Sequence, residues 1–88
     1  MEQRILKIDT KDNIGVATAN LELGTIYGVI STDETVMTKA AITFGHKIAL
    51  VSVAPGEEIV KYGEVIGHAR GAIEQGEHIH THNLDNLI

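Results

Sequence analysis

The glycines of this chain fall one at a time. Nine of them and a single proline are scattered through 88 residues, and the segments between them are short and rich in β-branched residues. No window carries apolar residues at i, i+3, i+4 and i+7 over the length a helix needs. Short β-branched runs bounded by glycine are the signature of many brief strands joined by turns. Strands are expected over Ile5–Ile8, Ile14–Ala19, Ile26–Ile30, Thr35–Thr38, His46–Val53, Glu64–Ala69 and His78–His82. Lys39–Thr43 reads as a single helical turn.

One local pattern recurs. Leu21–Ile26, Val53–Ile59 and Ile73–Ile79 each hold an apolar residue, two variable residues, a glycine and a following isoleucine. The glycine suits a turn that needs positive φ, and the apolar ends anchor it. The copies are unequally spaced, so this is a reused turn and not a solenoid repeat. No direct chemistry is expected of Gly24, Gly56 or Gly76. The whole is expected to be one all-β domain over residues 1–88, a small set of short bent hairpins. A sandwich usually needs about 100 residues.

Composition narrows the function classes. Aromatic residues make up only 3% of the chain, so the core must come from Ile, Val, Leu and Ala. The net charge of −5 is spread along the sequence. It argues against nucleic acid, which needs clustered Lys and Arg, and against an anionic membrane surface. An acidic small molecule stays open, because a few local cations override net charge. Without cysteine there is no disulfide and no zinc–thiolate site. No apolar stretch approaches the ~20 residues of a membrane span. Met1-Glu2-Gln3-Arg4 leads into an alternating run with no signal-peptide core. A cytoplasmic protein is expected.

The candidate chemistry is histidine chemistry. His78, His80 and His82 alternate near the end of the chain. On an extended strand they would project from one face, roughly 7 Å apart. Imidazoles so placed could share a metal, an anion or a proton. A polar strand face is the plain alternative, and spacing alone does not decide between them. Gly45-His46-Lys47 is the second candidate: a glycine that admits close approach, a proton carrier and a fixed cation. On a regular strand His46 and Lys47 face opposite sides unless a bulge intervenes. His68 alone in an apolar strand reads as a packing residue, and Tyr62 reads equally as packing or as a hydroxyl partner. The chain has no phosphate loop and no nucleophile elbow.

Three pieces taken in order resemble one family. They are Phe44-Gly45-His46-Lys47-Ile48-Ala49-Leu50, then Val60-Lys61-Tyr62-Gly63-Glu64-Val65-Ile66-Gly67, then Gly76-Glu77-His78-Ile79-His80-Thr81-His82-Asn83. With Asp12–Ala17, they resemble the small SAF-type (β-clip) module of the altronate and galactarate dehydratases, a family that includes the small subunit of sulfolactate sulfo-lyase. The resemblance spans about Ile5 to Leu84 and implies a β-clip, SAF-like fold. It implies part of a carbon–oxygen lyase that removes water from a sugar acid or hydroxy acid, with a divalent metal, commonly Fe2+. It further implies a large catalytic subunit or domain as partner, with copies of itself as partner in isolation, and no turnover by this chain alone. The site residues carried over are His46 and Lys47 for catalysis, Gly45 and Asn83 for substrate, and His78, His80 and His82 for metal. Two other readings stand beside this one: a sulfolactate sulfo-lyase small subunit, with sulfite as leaving group, and a non-catalytic SAF-type binding or assembly module.

Overall fold

The computed structural model describes residues 1–80 and 82–86; Thr81, which the sequence reading put inside the last strand, lies outside them. Nine short strands form: β1 (Gln3–Leu6), β2 (Ile14–Ala17), β3 (Ile26–Val29), β4 (Thr35–Met37), β5 (Lys47–Ala49), β6 (Glu58–Lys61), β7 (Glu64–Ala69), β8 (His78–Ile79) and β9 (Leu84–Asn86). They make a six-stranded sheet ordered β4-β3-β1-β2-β5-β8 and a three-stranded sheet ordered β6-β7-β9. The expected all-β fold of bent hairpins is what the chain adopts, with no helix among the described residues. Among the described residues no helix is therefore long and apolar enough to cross a membrane.

The expected strand over His46–Val53 stops at Ala49. The chain bends at Leu50 and Val51 so that Val53 can bridge Ile73. The helical turn expected over Lys39–Thr43 does not form. Ile42 exchanges backbone hydrogen bonds with Leu21, at 2.7 and 3.0 Å, and this long-range pairing overrides the weak local preference.

That pairing exposes a turn which the sequence reading missed. Ile42-Thr43-Phe44-Gly45-His46-Lys47-Ile48 is a fourth copy of the recurring pattern. In all four copies the glycine has positive φ: +73° at Gly24, +84° at Gly45, +82° at Gly56 and +93° at Gly76. Each glycine N–H donates to a carbonyl at or beside a strand end, that of Thr38, Ala17, Ala69 or Ala49 respectively. That residue's own N–H returns to the carbonyl after the glycine, on Thr25, His46, Glu57 or Glu77. The apolar ends are buried in every copy. In the first copy the inner anchor is Tyr27, not Ile26, which is exposed. The glycine-to-anchor spacing of the other three copies requires Tyr27.

The four turns form two pairs. Leu21 bridges Ile42, and Val53 bridges Ile73, at spacings that agree within one residue. Each pair seats its own core. Leu21, Tyr27, Ile42 and Ile48 pack with Ile5, Val29 and Val36, while Val53, Ile59, Ile73 and Ile79 pack with Ala69 and Leu84. Strands β2 and β5 serve both: Ala17 and Ile48 enter the first core, Ile14 and Ala49 the second. Alternation along a strand permits this. The pairing of β5 with β8, Lys47 against Ile79 and Ile48 against His78, joins the two units.

Candidate functional site

Four of the five histidines gather at that junction. Gly45 ends its turn left-handed and delivers His46 just ahead of β5. Antiparallel pairing then sets β8 alongside, and the Nδ1 of His46 lies 3.0 Å from the Nε2 of His78. The rings of His46 and His78 stack with centroids 5.1 Å apart; those of His78 and His80 are 5.5 Å apart and those of His80 and His82 are 6.2 Å apart. His68 stands elsewhere, on β7 of the second sheet.

The expected strand through His82 is not how the three terminal histidines meet. Only His78 and Ile79 are extended; the chain bends at His80 and turns at His82 and Asn83. Asn83 fixes this turn. Its Oδ1 accepts the His80 N–H at 2.9 Å and its Nδ2 donates to the His78 carbonyl at 2.8 Å. The reversal lets β9 pair with β7 in the other sheet, where Ala69 opposes Leu84. Both ends of the Asn83 amide are thus engaged with backbone, in a side-chain-capped turn.

Gly45, His46, Lys47, Ile79 and His80 line one open pocket of about 280 Å³. His46 and Lys47 therefore border a common space, despite being neighbours in sequence. Burial, followed by the nearby charges of His46, His80, His82 and Lys47, holds the His78 imidazole below its usual range. Burial, and then the ammonium of Lys61, pushes Lys47 below its ordinary value. Lys61, to which the local reading gave no role, is not among the residues that line this pocket. It lies at the end of β6, beside Val60, whose carbonyl takes the N–H of Asn13 at the head of β2.

The donor set fits a metal in part. Two imidazoles ligating one first-row ion at roughly 2.1 Å, at right angles, hold their nitrogens about 3 Å apart. His46 and His78 meet that distance. Among the described residues no group of three His, Asp or Glu side chains is arranged to hold an ion, and the successive rings lie more parallel than convergent, 26–28° apart between neighbours in the terminal run. Among the described residues the spacing thus suits two imidazoles and not a complete shell.

Known proteins resemble the chain along most of its length. The altronate/galactarate dehydratase SAF domain matches residues 3–87. The altronate dehydratases of Escherichia coli and Bacillus subtilis are 41% and 43% identical to the chain, each over 89% of it. The chain spans only 15% of the length of each. The (2R)-sulfolactate sulfo-lyase subunit alpha of Chromohalobacter salexigens is 37% identical, over 86% of both chains. A fold of paired glycine turns, a histidine junction between its two units and a match running almost end to end lead to one assignment: the chain belongs to the altronate/galactarate dehydratase SAF-domain family.

Proposed function

We propose that this chain is the SAF part of a metal-dependent hydro-lyase acting on a sugar acid or a related hydroxy acid, and that His46, His78, His80 and His82 form one wall of its active site. The observation that carries the reading is the 3.0 Å contact between His46 and His78. It unites two motifs more than thirty residues apart, on neighbouring strands, beside an open pocket. A larger catalytic body supplies the other wall, in line with the small fraction of the dehydratases that the chain spans. A cytoplasmic location goes with that reading.

Dehydration of a 2,3-dihydroxy acid removes the proton on C2 and expels the C3 hydroxyl, which leaves with a proton as water. The enol left behind takes up a proton on C3 as it becomes the 2-oxo acid. A divalent cation, when bound, supplies charge stabilisation for the enediolate that forms on loss of the C2 proton. His46 and His78 are the pair in this chain placed to hold it. The remaining imidazoles are proton carriers by type, and Lys47 keeps a cation at the pocket edge.

The alpha subunit of a sulfo-lyase is the second reading, with sulfite in place of water as the leaving group. It draws on the match over 86% of the C. salexigens subunit. The test is co-expression with a dehydratase-like catalytic body, followed by assay of altronate, galactarate and sulfolactate with ferrous iron. The substrate that turns over separates the two readings. Replacing His80 and His82 together by Ala should abolish turnover; full activity in that variant would remove the histidine wall from the site, and no turnover of any of the three acids would favour a binding module.

A further inference from the structure

Both sheets end on a strand that lacks a neighbour on one side among the described residues: β8 in the six-stranded sheet and β6 in the three-stranded one. On each, an asparagine side chain stands where the next strand would be. Asn13 accepts the Val60 N–H on its Oδ1 at 2.8 Å and donates from its Nδ2 to the Glu58 carbonyl at 2.8 Å. Asn83 repeats this on β8, with the His80 N–H at 2.9 Å and the His78 carbonyl at 2.8 Å. In both, the amide joins the carbonyl of one residue to the N–H two residues on, as one residue of a parallel strand would.

The two clamps hold different things. β6 carries no histidine, whereas β8 carries the wall. β8 is two residues long and is fastened to β5 by two residue pairs, Lys47 with Ile79 and Ile48 with His78. A strand this short is marginal by itself. The Glu77 carbonyl takes the Ala49 N–H from β5 at 2.9 Å, so alternation turns the His78 carbonyl outward, toward Asn83. The backbone from His78 to His80 therefore owes its shape to Asn83 as well as to β5. The His80 ring lies 5.5 Å from that of His78 and 6.4 Å from that of His46, centroid to centroid. Asn83 itself is half-buried and is not among the residues that line the pocket.

We infer that Asn83 is a positioning residue of the histidine wall: it acts on a bound cation through His78 and His80, whose backbone it fixes, and not by touching cation or substrate. Resting on the reading of that wall as a metal-holding face, this role replaces the substrate contact that the family resemblance implies. Groups that orient metal ligands typically change metal affinity about 10–100-fold.

Asn13 supplies the control, because it makes the same clamp on a strand that takes no part in the wall. The 15N-labelled chain is titrated with Zn2+, a diamagnetic stand-in for Fe2+, into the millimolar range, and the ring nitrogens are followed by long-range 1H–15N correlation. In the parent, the His46 and His78 signals should move together. Asn83→Ala should weaken that response about tenfold and lose the NOE between the His78 and His80 rings. Asn13→Ala should lower the melting temperature yet keep both. A second measurement needs no variant: zinc should slow hydrogen exchange of the His80 N–H, which Asn83 holds, more than that of the Val60 N–H, which Asn13 holds, because coupling between clamp and metal is reciprocal. Parental zinc affinity in a folded Asn83→Ala chain, an equal loss in Asn13→Ala, or equal slowing of the two amides would each overturn the positioning role and leave the wall intact. A parent chain whose His46 and His78 signals ignore zinc would remove the metal-holding wall, and this role of Asn83 with it.

Discussion

Replacing Gly76 by alanine tests the architecture most sharply, because its three sister glycines supply the control. All four turn glycines have positive φ, where an L-residue costs about 1–2 kcal/mol. At Gly24, Gly45 and Gly56 an added Cβ meets nothing within 4 Å. At Gly76 it would stand 2.0 Å from the Met37 carbonyl oxygen, 3.0 Å from the Met37 carbonyl carbon and 3.2 Å from the Lys39 nitrogen. These are backbone atoms and cannot rotate away. Relief requires the turn to back off, which breaks the 2.9 Å bond from the Lys39 N–H to the Gly76 carbonyl and disturbs the one from Gly76 to Ala49. Each such bond contributes about 1 kcal/mol, and overpacking adds about 1–3 kcal/mol. Gly24→Ala should therefore lose about 1 kcal/mol, and Gly76→Ala about 4 kcal/mol or more. A domain of this size has only about 4–13 kcal/mol in total. Urea unfolding followed by far-UV circular dichroism reads both values, and in thermal melts the first is a fall of about 4–8 °C. Equal losses for the two variants would show that the Gly76 turn does not lie against Met37 and Lys39.

Other outcomes follow from the same geometry. Burial pushes the Asp12 carboxyl up, but backbone N–H groups of Gly63, Asp9, Tyr62 and Ile8 outweigh it and hold it below the usual range. Its stabilisation is thus present above pH ~4 and lost as pH falls through the lowered value; Asp12→Asn should cost about 1–3 kcal/mol at pH 7 and flatten that acid loss in urea titrations at pH 2–5. In the metal-free protein the His78 imidazole stays neutral below pH ~6.5, and stability falls as pH drops through its lowered value; Lys47→Met should raise that value, measured by NMR titration of the ring protons. Asn83→Ala removes both bonds that shape the histidine turn and should cost about 1–2 kcal/mol, while Asn83→Asp, which keeps the acceptor for the His80 N–H, should lose less. Phe44 is 66% exposed, so Phe44→Ser should leave the melting temperature of the chain within about 3 °C.

Local pattern revealed the strands and not their ends. Glu64–Ala69 forms as read, because its hairpin turn sits at its boundary in sequence. Strands β6 and β9 were missed: Glu58–Lys61 was absorbed into the turn that precedes it, and Leu84–Asn86 gains its partner only from β7. Three of the four turns were visible, but the fourth was hidden by reading Lys39–Thr43 as helical. With it, the unequal spacing becomes a doubled pair. At the site, the terminal histidines were legible as a group by composition. Their shape was not, because Asn83 and the crossing to the second sheet decide it. That His46 meets His78 depends on β5–β8 pairing, a contact that no short window contains.

The doubled architecture bears on when the chain can act. One turn pair brings His46 and Lys47, and the other brings His78, His80 and His82. Neither unit owns the site. A chain with one unit formed presents half a pocket and no paired imidazoles, so it has little with which to capture a metal or an acid prematurely. Once both are closed, any ligand spanning β5 and β8 clamps the seam, adding about 2.7 kcal/mol at a hundred times its dissociation constant. Ligand binding at the junction would then be read as added stability of both units together.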